Sequence, residues 1–172
     1  AHDRLPLERL RKGLPALRAE EDVFTNLQVI GKVPTDLNGL YVRNGPNAYY
    51  TPDWRYHAYD GDGMLHAVRF ENGQVTYRNR WVQTAALQEE QAAGHALWKG
   101  LKEPWRKDRP DEPQKNTANT DVKYHAGRLI SMWYRSGMPY AVDPDTLETL
   151  GQAHRGERHR WLLLLSVMLG SM

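Results

Sequence analysis

Between Gly39 and Thr84 the chain reads GLYVRNGPNAYYTPDWRYHAYDGDGMLHAVRFENGQVTYRNRWVQT, and the Asn72-Gly73 pair inside it leaves few options for the residues around it. Asn-Gly supplies the positive φ that a tight reversal of two strands needs. On either side, Met64–Phe70 and Gln74–Val82 alternate in character with the two-residue period of a strand. The spacing predicts a hairpin with Glu71-Asn72-Gly73 as its connection. Met64, His66, Val68 and Phe70 share one face, and Val75, Tyr77 and Trp81 share one face of the return strand. Upstream, RNGPN at 43–47 reads as a rigid reversal, since Pro fixes φ and Asn side chains bond nearby backbone. Arg43 is expected to pair with a carboxylate in a neighbouring unit.

A second set of strands is predicted further on. Asp121–His125 and Arg128–Tyr134 are joined by Ala126-Gly127, Met138–Val142 follows across Ser136-Gly137, and the turn DPDT at 143–146 closes the set. Repeated antiparallel meanders of roughly 40 to 50 residues are the pattern of propeller blades, each of which buries its faces against its neighbours. The expected class is therefore all-β. Between the two sets, residues 85–118 read as an exposed insertion. Its first part, QEEQAAGHALWKGL, suits a short helix, and KEPWRKDRPDEPQKN is dense in charge and proline. Trp98 and Trp105 are read there as packing anchors. The chain thus divides into an arm at 1–22, a partial propeller at 23–151 and a divergent tail at 152–172. In the arm, Leu7, Leu10, Leu14 and Leu17 have helical spacing interrupted by Gly13 and Pro15.

Composition narrows the function classes. With 172 residues, 40% hydrophobic and 26% charged, the chain has an ordinary globular balance. Lys plus Arg (23) nearly cancels Asp plus Glu (21), so no nucleic-acid partner is expected. The absence of cysteine removes disulfides, thiolate zinc sites and thiol nucleophiles together. The N-terminal residues lack the apolar core of a secretory signal. The one strongly apolar run, Trp161–Leu169, would reach roughly 13 Å as a helix against a hydrocarbon core of about 30 Å. The expected location is cytoplasmic, with peripheral attachment to a membrane as the alternative.

The motifs favour structure over chemistry. His57, His66, His95, His125, His154 and His159 invite assembly into a metal site, but none has a partner at a short helical spacing such as HExxH. Histidines bonded within or between strands are the expectation. Asp60-Gly61-Asp62-Gly63 suggests calcium, and Glu71 falls at the twelfth position from Asp60. The EF-hand pattern nevertheless fails, because Met64 stands at the fifth position and Leu65 at the sixth. A tight turn with Asp side chains on backbone N–H groups is predicted instead. GxGxxG, GxxxxGKS and GxSxG do not occur, so nucleotide binding and serine hydrolysis have no local support.

Three segments in order, LQVIGKVPTDLNGLYVRNGPN (27–47), YHAYDGDGMLHAVRFENGQVTYRNRWVQT (56–84) and NTANTDVKYHAGRLISMWYRSGMPYAVDPDTLETLG (116–151), resemble the carotenoid oxygenase family, which includes carotenoid-cleaving and lignostilbene-type dioxygenases. Ala48 departs from the proline common there, and Ala58-Tyr59 from the usual aromatic pair. The resemblance implies a seven-bladed β-propeller. It implies ferrous iron, Fe(2+), held on the axis by four histidines, and oxidative cleavage of one C=C bond of a carotenoid, apocarotenoid or stilbene-type substrate into two carbonyl products. An apolar alkene and dioxygen are the partners so implied.

The family's first iron histidine follows the DPxTLETLG segment in a motif like SAHPK. Here Gly151 leads into QAHRGERHRWLLLLSVMLGSM, where His154 lacks the flanking Pro-Lys. No ligand role is carried onto His154 or His159, and His57, His66 and His125 match family positions that are not ligands. The expectation is a chain without catalytic, cofactor-binding or metal residues: an N-terminal piece carrying the first blades, inactive alone, with residues 152–172 the product of a reading-frame change or truncated gene. A natural apolar helix capping the last blade is the alternative for the tail. A non-catalytic propeller-like interaction module, using the charged stretch 102–115, is the alternative function.

Overall fold

Two turns of the same kind set the two sheets. Asn72 and Gly73 have φ of 49° and 80°, and Ala126 and Gly127 have 47° and 80°. Positive φ at both central residues is the type I′ hairpin turn, whose twist matches that of the strands it joins. The computed structural model describes residues 21–25, 27–50, 57–102, 114–135 and 137–153.

The first turn joins β3 (Asp62–Glu71) to β4 (Gln74–Trp81). Glu71 pairs with Gln74, so the connection is Asn72-Gly73 alone and Glu71 belongs to the strand. β2 (Gly39–Asn47) pairs with β3 along its length, which places RNGPN inside a strand and not at a reversal. β1 (Asp22–Phe24) pairs with β4, giving the order β1-β4-β3-β2. The second sheet runs β5 (Asp121–His125), β6 (Arg128–Met132), β7 (Tyr140–Val142) and β8 (Thr149–Gln152) in sequence order.

Two expectations for the second sheet are corrected. β6 stops at Met132 and β7 starts at Tyr140, so a long connection replaces a two-residue turn. The chain leaves the ladder because the connection is bound to the segment preceding β5: Asn116 Nδ2 donates to Met138 O at 3.0 Å. β8, a fourth strand, was not expected beyond the Asp143–Thr146 turn. That turn closes through Asp143 N donating to Glu148 O and Leu147 N to Asp143 O, each at 2.9 Å.

The helix is also displaced from its expected place. α1 spans Ala85–Ala93: Thr84 caps it through Oγ1, which accepts from Leu87 N at 3.1 Å, and Gly94 ends it at φ 74°. Residues 95–101 therefore leave the helix. The exposed reading of 85–118 fails at both ends, where Ala86, Leu87, Glu90, Trp98, Thr117 and Ala118 are buried. Trp98 packs as expected of an anchor; Trp105 lies outside the described residues, as do residues 1–20 of the arm at 1–22 and residues 154–172 of the tail at 152–172.

The main core lies between the sheets. Leu65, Ala67 and Val82 meet Leu129, Tyr140, Val142 and Leu147, with Leu40, Val42 and Val122 at the margin. Leu65 and Ala67 are the β3 residues that alternate with Met64, His66, Val68 and Phe70. On that other face Met64 is buried with Trp81 and Leu87, while Val68 and Phe70 stay partly exposed.

Polar side chains lock the junction. Asn44 Nδ2 lies 2.7 Å from Ala118 O, 2.9 Å from Ser131 Oγ and 3.1 Å from Asp121 O. Arg78 Nη1 donates to Thr146 O at 3.0 Å, Arg80 Nη1 lies 3.2 Å from Glu148 Oε1, and Arg69 pairs with Asp145. Arg43, paired across the ladder with His66, lies on the opposite face. The inter-sheet pairing with a carboxylate expected of Arg43 is made by Arg69 and Arg80, with Arg78 on a backbone carbonyl beside them, because alternation turns their side of the sheet toward the second one.

Candidate functional site

The Asp60-Gly61-Asp62-Gly63 stretch packs against β2 on one side and the segment preceding β5 on the other. A Cβ on Gly61 would lie 2.6 Å from Asn47 N, and one on Gly63 would lie 2.5 Å from Ala118 O. Gly63 N donates to Thr117 O at 2.8 Å, and Asn119 Nδ2 donates to Gly61 O at 2.7 Å and Tyr59 O at 2.8 Å. Gly63 thus brings two backbones into hydrogen-bonding contact, while Gly61 lets the chain pass close to Asn47 of β2. Asp60 behaves as predicted for a turn aspartate, with Oδ2 accepting from His57 N at 2.6 Å and Oδ1 from Leu101 N at 2.8 Å.

Asp62 takes a different role. Its side chain is buried, and Lys115 Nζ lies 2.6 Å from its Oδ1 and 2.6 Å from Glu90 Oε2. Glu90 also accepts at Oε1 from Leu97 N and Trp98 N, each at 3.0 Å. Burial pushes the Asp62 carboxyl above its ordinary range, and the Lys115 ammonium opposes that push without cancelling it. A cavity of about 180 Å³ adjoins the triad, walled by Tyr50, Tyr59, Trp98 and Trp133. Glu90 and Lys115 escaped the sequence reading because both fall in the supposed insertion. One signal was available: in a helix that begins at Ala85, Glu90 falls on the same face as Ala86 and Leu87.

The histidines do not converge. His57 caps a 3₁₀ turn at Ala58–Asp60, its Nδ1 accepting from Tyr59 N at 3.1 Å. His66 Nδ1 and Tyr77 Oη are 2.7 Å apart, and His95 Nδ1 lies 2.9 Å from Ala93 O. His125 ends β5 beside the Ala126-Gly127 turn. His154 and His159 lie outside the described residues. Among the described residues no group of three or more His, Asp or Glu side chains could hold a metal ion. They likewise contain no helix long and apolar enough to cross a membrane.

Residues 15–166 match the family described as retinal pigment epithelial membrane protein. This chain belongs to that family, the carotenoid oxygenases. Isoeugenol monooxygenase of Pseudomonas nitroreducens is 38% identical over 137 residues, which are 78% of this chain and 28% of that protein. The crystal structure of Pseudomonas brassicacearum lignostilbene dioxygenase aligns with a TM-score of 0.68 at 30% identity, over 78% of this chain and 28% of that one. Cobalt-substituted Synechocystis apocarotenoid oxygenase aligns with a TM-score of 0.68 at 34% identity, over 79% of this chain and 30% of that one. Carotenoid oxygenases are β-propellers, and the two four-stranded sheets here are adjacent blades of one. The chain spans under a third of the length of these relatives. Its DGDG loop and buried triad are an inter-blade joint, and the described histidines do not fit the family's iron.

Proposed function

We propose that this chain supplies two adjacent blades of an iron-dependent dioxygenase that cleaves a C=C bond of a carotenoid, apocarotenoid or stilbene-type substrate into two carbonyl products. The carrying observation is the pair of face-to-face blades matched to carotenoid oxygenases, with His57, His66 and His95 each bonded to a nearby residue. In this reading the residues described here act as scaffold. They hold one blade against the next through the DGDG loop, Asn44 and the Lys115 triad, while the iron ligands belong to other blades. The same proposal divides the chain into an arm at 1–22, propeller segment at 23–151 and divergent tail at 152–172, and places it in the cytoplasm.

The test is complementation. The 172-residue chain, given ferrous iron under argon and then isoeugenol or an apocarotenal with oxygen, should retain no stoichiometric iron and release no aldehyde. Mixed with an isoeugenol monooxygenase lacking its matching N-terminal part, the chain should restore aldehyde formation. Iron retention with cleavage by the chain alone, or no restoration by a folded mixture, would overturn the proposal.

A further inference from the structure

The sequence carries three Asn-Gly pairs, at 38–39, 44–45 and 72–73. In such a pair the glycine nitrogen can attack the asparagine side-chain amide, because glycine has no Cβ to hinder the approach. The fold gives the three amides unequal freedom. Asn44 lies within β2, its Nδ2 2.7 Å from Ala118 O, 2.9 Å from Ser131 Oγ and 3.1 Å from Asp121 O. Asn38 is exposed, but its amide is held at both ends: Nδ2 donates to Thr35 O at 3.4 Å and Oδ1 accepts from Asn72 N at 2.9 Å. Asn72 enters that contact through its backbone alone. Its side chain is exposed at the hairpin tip, and no bond to a described residue restrains it. Gly73 takes no part in the β3–β4 ladder, whose last pair is Glu71 with Gln74.

We propose that Asn72 is a site of spontaneous modification, converting through a succinimide to aspartate and isoaspartate, and that Asn38 follows as the second site. Hydroxide takes the Gly73 N–H proton, and the nitrogen forms a bond to Asn72 Cγ. The bond from Cγ to the side-chain nitrogen breaks, and ammonia leaves with a proton supplied by water. Water then opens the ring at either carbonyl: at Cγ it gives aspartate, and at the backbone carbon it gives isoaspartate. Only the hairpin tip has to open for the attack, since neither residue belongs to a core cluster. Isoaspartate routes the main chain through one additional carbon, which the two-residue type I′ turn does not accommodate. The Asn72 N–H then leaves Asn38 Oδ1, and the Asn38 amide loses its stronger restraint.

The experiment incubates the folded 172-residue chain in mildly alkaline buffer and follows it by tryptic peptide mass spectrometry. Cleavage after Lys and Arg separates the three pairs into peptides 33–43, 44–55 and 70–78. Peptide 70–78 should gain the mass of amide-to-acid exchange first, with 33–43 behind it. Peptide 44–55 should be slower by on the order of tenfold or more, since both Asn44 amide hydrogens must first be released. In concentrated urea the three should convert at similar rates. Asn72→Gln should abolish conversion in 70–78 and, by keeping the backbone bond to Asn38, hold 33–43 unconverted over the same period. Two results would overturn the proposal: peptide 33–43 or 44–55 leading in the folded chain, or no conversion in 70–78 over a time in which the urea-unfolded chain converts.

Discussion

A side-chain carbon on Gly63 would stand 2.5 Å from the carbonyl oxygen of Ala118. Backbone meets backbone there, so no side chain can swing aside to make room. Gly63→Ala is expected to destabilise the chain by about 1–3 kcal/mol, the usual cost of overpacking, and to lower the urea midpoint. Gly45→Ala is the control: its new methyl would meet only the end of the Arg43 side chain, at 3.5 Å. Equal losses in the two variants would show that the inter-blade contact is not what the glycine serves.

The buried triad makes stability depend on pH in a definite direction. The folded-state pKa of Asp62 is raised above 3.8, chiefly by burial. Folded protein therefore keeps a proton that unfolded protein has lost. This contribution is full below pH 3.8 and disappears as pH rises through the folded value. Asp62→Asn should flatten that part of the profile, measured by urea unfolding across a pH series. Lys115→Met leaves two buried carboxylates without their cation and should cost about 3–5 kcal/mol.

Asp143 should act with the opposite sign. Its carboxylate accepts from Thr146 N at 2.8 Å and Asp145 N at 2.9 Å, and these bonds lower its pKa. The stabilisation is present above pH 3.8 and is lost as pH falls through the lowered value. Asp143→Asn keeps an acceptor oxygen but cannot ionise, so it should remove this acid-side loss from the same pH series.

Two kinds of inter-blade contact should differ in weight. Arg80 and Glu148 form a partly exposed pair at 3.2 Å, and Arg80→Ala should cost under about 1 kcal/mol and less in high salt. Asn44 is placed against two carbonyls and the Ser131 hydroxyl at the joint. Asn44→Ala strands those acceptors and should cost about 1–3 kcal/mol, independent of salt. Thermal midpoints at low and high ionic strength distinguish the two.

The outer face of the first sheet should drive self-association. Tyr41 is 61% exposed there, beside the partly exposed Val68, Phe70 and Tyr77. Apolar sheet faces and free strand edges of this sort promote association. Sedimentation velocity should show concentration-dependent assembly, and Tyr41→Lys should reduce it; a monomer at all concentrations would contradict the expectation.

Local chemistry determined a good deal by itself. Asn72-Gly73 and Ala126-Gly127 each specify a reversal within two residues, and alternating side chains carry β3 to β6 in either direction from those turns. The ordered segments around RNGPN and DGDG were enough to indicate the family and its blades. All of these depend on neighbours in sequence, where φ preference and side-chain period act directly. What the tertiary structure decided lies at the joint between blades. Which face of β3 is inside, why Asp60 and Asp62 differ, and that Glu90 and Lys115 are buried together all depend on the second sheet. Glu90 and Lys115 are separated by a proline-rich charged stretch that reads as solvent-exposed. Their pairing with Asp62 arises only when α1, β3 and the segment before β5 are packed against one another, because the approach of a charge distant in sequence has no local spacing to betray it.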